Sequence, residues 1–97
     1  TIKASGFSIV RGYTGHGVGR AMHEEPQVPN HRLRFKGTPL RTGLVIALEP
    51  MVNAGSAEVM EASDGWTVKT KDGNLCCHFE HTIAIREGHE AEVLTLP

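Results

Sequence analysis

The stretch LVIALEP spans residues 44–50 and consists of five consecutive apolar residues followed by a glutamate and a proline. A continuous apolar run rich in β-branched residues is typical of a strand buried on both faces. Glu49 therefore stands at the mouth of the most apolar segment of the chain. Burying a carboxylate there is costly unless a cation or hydrogen-bond donors meet it, so Glu49 is either a functional group or a glutamate just past the edge of the core.

The sequence after this strand predicts an antiparallel meander with little helix. Further strands are predicted where β-forming residues lie between turn dipeptides such as Asp64-Gly65, namely over 58–62, 66–71, 75–86 and 92–96. Period-two alternation in the third of these places His78 and Glu80 on one face of the strand. That face either points to solvent or lines a cavity, and the pattern leaves both open.

The sequence before residue 44 is less regular. Residues 1–5 resemble the last turn of a helix that ends at Gly6, and residues 7–13 alternate as a strand does. The segment 20–39 contains three prolines and is predicted to be a long loop. Because long loops in compact domains are often functional, its histidines are candidates for a site. These elements together predict an α+β fold.

Composition limits the possible functions. The chain has 97 residues, a formal charge of −1 and 39% hydrophobic residues, which is enough for one modest core and not for two domains. The balanced charge argues against nucleic-acid binding, and no apolar run approaches the ~20 residues of a membrane span. No leader sequence is recognisable, and the first residues resemble an internal start.

The only two cysteines are adjacent, Cys76 and Cys77. A bridge between neighbours is strained, so the pair argues against a disulfide framework and for a reducing compartment. A cytoplasmic location and a packing role for the cysteines are therefore predicted.

Two short motifs carry histidines. His16 lies within GHGVG at 15–19, where the glycines indicate a tight turn or a close approach of the backbone. The order of residues fits neither a dinucleotide fingerprint nor a phosphate loop. His23 opens HEEPQ, which lacks the second histidine of the helical zinc-protease motif and has a helix-breaking proline. On pattern alone His23 is a surface histidine unless it shares a pocket with His16.

Four collinear segments carry a family resemblance: GYTGHGVGRAMHEEPQVPN (12–30), ALEPMVNAG (47–55), DGWTVKTKDGNL (64–75) and FEHTIAI (79–85). Together the sequence resembles the C-terminal half of a type I methionine aminopeptidase over residues 1–97. The resemblance implies the pita-bread (creatinase/aminopeptidase) fold. It also implies hydrolysis that removes the initiator methionine from nascent proteins.

The resemblance also implies a site. Three of the family's five metal ligands fall on His16, Glu49 and Glu80, a donor set that suits a divalent ion. Glu49 would also transfer the proton, and His23 would hydrogen-bond the scissile peptide. Trp66 and Met22, with His23, match positions that contact the substrate and its methionine side chain.

Part of the family site has no counterpart in these residues. The other two ligands are aspartates of the family's N-terminal half, and neither Asp64 nor Asp72 can replace them because both match a turn-rich stretch of the C-terminal half. The complete enzyme is expected to hold two divalent ions (Co, Mn, Fe or Zn). The chain alone is expected to bind at most one ion weakly, to be nearly inactive, and to pair with the missing N-terminal half or a second copy.

One departure concerns the metal. Where the family usually has small residues and then Gln, this sequence has Cys76, Cys77 and His78. His78 is a candidate partner for Glu80 or an added ligand. Two alternative functions stay open: a proline-specific peptidase of the same fold, and a non-catalytic half-domain that binds a partner. The expected substrate is a peptide or nascent chain with an N-terminal Met.

Overall fold

The computed structural model describes residues 1–97 as short strands and one 3₁₀ turn, Lys3–Ser5. The strands in chain order are β1 (Ser8–Ile9), β2 (Gly15–Gly17), β3 (Glu24–Val28), β4 (Val45–Leu48), β5 (Met51–Asn53), β6 (Val59–Glu61), β7 (Val68–Thr70), β8 (Cys76–His78), β9 (His81–Ala84) and β10 (Glu92–Val93). Every recorded pairing is antiparallel. The predicted class, antiparallel with little helix, is confirmed. None of the helical residues belongs to a segment able to cross a membrane.

The apolar run forms the centre of the larger sheet. Strand β4 begins one residue later than predicted and is the middle strand of the order β10-β9-β4-β2-β3. Ile46 and Ala47 are each 2% exposed, because neighbouring strands flank β4 on both sides. Gly6 ends the first turn with a φ of 83°, as a C-terminal glycine does.

The chain passes three times between the two main sheets, from β1 to β2, from β4 to β5 and from β8 to β9. Strand β4 pairs with β9 in the five-stranded sheet, whereas β5 pairs with β8 in a three-stranded sheet of order β1-β5-β8. Only Glu49-Pro50 separates β4 from β5, and only Phe79-Glu80 separates β8 from β9. The two short crossovers, Glu49-Pro50 and Phe79-Glu80, are adjacent, since the Phe79 N–H donates to the Pro50 carbonyl at 3.3 Å. The prediction of one continuous strand over 75–86 is therefore wrong.

The loop predicted over 20–39 contains a strand. Strand β3 pairs with β2 and includes Pro26, which has no N–H to give to a ladder. The proline is tolerated because β3 is the outermost strand of its sheet. The strand predicted over 7–13 is in turn shorter than expected and consists of β1 alone.

The remaining strands form hairpins of chain neighbours, β6 with β7 and β9 with β10. These hairpins match the predicted meander. Strands β4 and β5 pair instead with β9 and β8, which come after the β6–β7 hairpin in the chain. Only six residues are buried, so the core is thin. Eleven large apolar side chains are exposed: Phe7, Tyr13, Met22, Phe35, Leu40, Met60, Trp66, Leu75, Phe79, Leu94 and Leu96.

Candidate metal centre

His16 is held in the sheet by close backbone packing at the glycines on either side of it. A Cβ added at Gly15 would collide with the carbonyl oxygen of Ala47, and one at Gly17 would collide with that of Glu25. Only glycine on either side of His16 allows β2 to lie this close to β3 and β4. The GHG motif is thus a packing requirement that fixes the position of one imidazole.

The hydrogen bonds of His16 define which ring nitrogen is free. Its Nδ1 lies 2.8 Å from the Gly17 carbonyl oxygen, which can only accept, so Nδ1 carries the proton. Nε2 lies 3.1 Å from Oε1 of Glu49. In the neutral imidazole two lone pairs would face each other there, and the contact becomes favourable with a second proton or with a cation between the two atoms.

The two carboxylates reach His16 from the two crossovers. One ligand atom each from His16, Glu49 and Glu80 lies within 4.8 Å of the others. The His16 and Glu49 side chains are only 14% and 19% exposed, whereas Glu80 is exposed. One imidazole and two carboxylates at this spacing fit a divalent cation of hard to borderline character. The structure therefore brings together the three residues that were predicted as ligands.

His23 also lies beside this cluster. Its ring centroid is 4.3 Å from that of His16, with the planes tilted by 50°. Both histidines line an open cavity of about 430 Å³. The condition under which His23 becomes more than a surface histidine, a pocket shared with His16, is met.

The two predicted substrate contacts are placed differently. Trp66 lines a cavity of about 350 Å³ together with Glu49 and Met51, and its side chain is 87% exposed. Met22 is 75% exposed and lies outside that cavity. Trp66 is thus near the carboxylate, while a substrate role for Met22 stays a prediction without a shared cavity.

The sequence pattern missed the partner of His78. Alternation placed His78 beside Glu80, but the crossover at Phe79-Glu80 interrupts the strand. Instead, Nε2 of His78 lies 3.4 Å from Oε2 of Glu49. The signal that reveals this contact is the pairing of His78 with Met51 at the start of β5, which a single sequence does not show.

Comparison with known proteins defines the class. The chain matches the Metallopeptidase family M24 over residues 1–87 and belongs to that family. Its relatives include methionine aminopeptidase 1 of Bacillus subtilis, 58% identical over 84% of this chain and 33% of the relative. The methionine aminopeptidase of Escherichia coli K12 is 50% identical over 98% of this chain and 36% of the relative.

A solved structure agrees with the sequence relatives. The crystal structure of methionine aminopeptidase from Thermotoga maritima superposes with a TM-score of 0.91 at 50% identity, covering 97% of this chain and 37% of that one. The fold is therefore the pita-bread fold of these enzymes. The chain spans about a third of the length of the relatives that it matches.

Proposed function

We propose that residues 1–97 form the C-terminal half of the catalytic domain of a methionine aminopeptidase. The observation that carries the proposal is the convergence of His16, Glu49 and Glu80 in a chain of a metallopeptidase family. These three side chains would hold the metal. A bound divalent cation supplies Lewis-acid activation for attack of water on a peptide carbonyl.

The residues around the cluster have complementary roles in this proposal. Glu49 has a carboxylate that can accept a proton from the attacking water and return it to the departing amine. His23, whose ring lies 4.3 Å from that of His16, would donate a hydrogen bond to the carbonyl oxygen of the scissile bond and stabilise its developing charge.

The substrate is proposed to be a peptide or nascent protein with an N-terminal methionine. The relatives are methionine aminopeptidases by name, which supports this choice over an Xaa-Pro substrate. Trp66 and Met51 supply apolar surface beside Glu49, as a pocket for a thioether side chain needs. Met22 is retained as a proposed contact of the same side chain.

The proposal extends to the metals and the partner. Two divalent ions, with Co, Mn, Fe and Zn as the candidates, are proposed for the complete enzyme, and at most one weakly bound ion for these residues alone. The remainder of the enzyme would cover part of the exposed apolar surface, which includes Phe79 and Leu96. A second copy of the chain is the alternative occupant, and sedimentation of the chain with and without the rest of a relative distinguishes the two.

The test is a chimera in which this chain replaces the matching segment of the Escherichia coli relative. We expect the chimera to release Met from a Met-Ala peptide with added Mn²⁺ or Co²⁺, and not to cleave an Xaa-Pro peptide. In the same chimera Glu49→Gln should lower kcat by at least about 100-fold, as loss of a general base does. A folded chimera that releases no methionine, or one that is indifferent to Glu49→Gln, would contradict the proposal.

A further inference from the structure

The carboxylate of Glu49 lies between two imidazoles. Oε1 is 3.1 Å from Nε2 of His16, and Oε2 is 3.4 Å from Nε2 of His78. The two histidines come from different sheets, since His16 is in β2 and His78 ends β8. Each sheet thus contributes one histidine, and each histidine contacts a different oxygen of the Glu49 carboxylate.

The two contacts differ in their chemistry. The Nδ1 proton of His16 is committed to the Gly17 carbonyl, so its Nε2 has a lone pair to offer. No such commitment holds Nδ1 of His78, and the neutral ring can therefore carry its proton on Nε2 and donate it to Oε2. The His78 contact is favourable without any cation, whereas the His16 contact is not.

The position of His78 separates it from the ligand cluster. The group whose ligand atoms all lie within 4.8 Å of one another consists of His16, Glu49 and Glu80 and does not include His78. The His78 side chain is also 45% exposed, against 14% for His16. An imidazole that contacts a ligand from outside the cluster is placed to orient that ligand.

We propose that His78 is a positioning residue of this chain: its Nε2–H holds Oε2 of Glu49 and thereby keeps Oε1 directed at His16 and Glu80. The inference rests on the proposed function, because it assigns His78 to the metal site proposed there. The register of the smaller sheet sets the position of His78, since β8 pairs with β5 through His78 and Met51, two residues after Glu49. The three-stranded sheet in this way helps to position Glu49, which follows β4 of the five-stranded sheet.

Metal binding by the chimera described above tests the proposal with two variants of one residue. In calorimetric titration with Mn²⁺, His78→Ala should weaken binding by about 10-fold or more, the usual loss when a group that orients a ligand is removed. His78→Gln keeps an N–H donor and should retain most of the affinity of the parent chimera. His89→Ala removes an exposed histidine in the loop between β9 and β10 and serves as the matched control, and circular dichroism checks that all variants fold alike.

Two results would overturn the proposal. An equal loss of Mn²⁺ affinity in His78→Gln and His78→Ala would indicate that His78 is itself a ligand. An unchanged affinity in His78→Ala would show that His78 has no role in metal binding. A measurement without metal completes the test: ¹⁵N-resolved NMR of the His78 ring should show the proton on Nε2, with a resonance that shifts in Glu49→Gln. A proton on Nδ1 would also overturn the inference. An inactive chimera with this NMR signature intact would count against the proposed function alone.

Discussion

The molecule contains one region held by backbone packing and another held by side-chain hydrogen bonds. Around His16, strands β2, β3 and β4 approach so closely that only glycine fits at positions 15 and 17. The β6–β7 hairpin and its flanking loops contain no fully buried residue and are tied by carboxylates, with Asp64 and Asp72 each accepting backbone N–H groups. The close contacts at the two glycines of the first region are made by backbone atoms, whereas the contacts of the second region depend on ionised carboxylates.

This difference indicates how the candidate site obtains its precision. The imidazole of His16 is fixed by a sheet in which small displacements are blocked by backbone atoms, and two carboxylates approach it from crossovers joined to that sheet. The hairpin carries Trp66 beside the site and is attached by weaker contacts. We therefore expect the ligand cluster to respond to changes in packing and the Trp66 side to respond to pH.

The largest effect is expected for Gly15→Ala. The added Cβ would collide with the Ala47 carbonyl oxygen and lie 3.3 Å from Cβ of Val28, so backbone must move. The free energy of unfolding should fall by about 3 kcal/mol in urea denaturation, and Mn²⁺ binding should be lost with it. Gly37→Ala is the control, since nothing lies within 4 Å of its added Cβ. Equal stability of the two variants would show that β2 is not constrained by its glycines.

The sequence predicts the packed region better at its centre than at its borders. The apolar run located β4 to within one residue, and glycine turns located the hairpins. Strand β3 was missed because Pro26 argues against a strand unless the strand is known to lie at an edge. The break at Phe79-Glu80 was missed because alternation continues through it without a glycine or proline.

The candidate site was predictable only in part from its residues. Pattern alone left Glu49 and Glu80 with a functional and a solvent-facing interpretation each. Their convergence on His16 depends on the pairing of β4 with β2 and β9. A single sequence does not show this pairing, and the prediction that the three residues converge came from the family resemblance. The contact of His78 with Glu49 follows from neither source, because the family usually has another residue there.

Neutralising either ligand carboxylate should strongly weaken metal binding and should change the stability of the fold only slightly. Glu49→Gln and Glu80→Gln each remove one negative charge from the cluster while keeping the size of the side chain. We expect each to weaken Mn²⁺ binding by at least about 100-fold, the upper end of what loss of an orienting group alone costs. Glu90→Gln, at an exposed position, is the matched control in the same titration. An unchanged affinity in Glu80→Gln would remove that residue from the site.

A smaller, pH-dependent effect is expected for Asp72, which joins the loop before β6 to the loop after β7. The backbone N–H of Asn74 and then that of Ser56, at 3.0 and 2.7 Å, hold the pKa of Asp72 below its usual 3.8. A depressed pKa stabilises the fold above pH 3.8, and this stabilisation is lost as the pH falls through the lower pKa of the folded state. The stability difference between the parent chain and Asp72→Asn should therefore shrink in that window. A difference that is constant from pH 7 to pH 2 would exclude a role for the charge.

The smallest effect belongs to Asp64, whose contacts stay within one turn of the hairpin. The Thr67 hydroxyl is the main cause of its lowered pKa, followed by the backbone N–H groups of Thr67 and Trp66, which lie 2.8 and 2.9 Å from Oδ1. In Asp64→Asn an amide oxygen can still accept both N–H groups, so that variant removes the charge and keeps the turn, whereas Asp64→Ala removes both.

NMR titration of the Trp66 and Thr67 amide protons measures this turn directly while circular dichroism confirms that the chain stays folded. Both protons should move together with a midpoint below 3.8, the usual pKa of the carboxyl, because the contacts favour the ionised form. The sign for stability is that of Asp72: present above 3.8 and lost below it. In Asp64→Asn the titration should vanish while the amide shifts stay near their values at neutral pH. A midpoint at or above 3.8 would mean that the turn does not hold the ionised carboxylate, and that the Trp66 side of the site has another anchor.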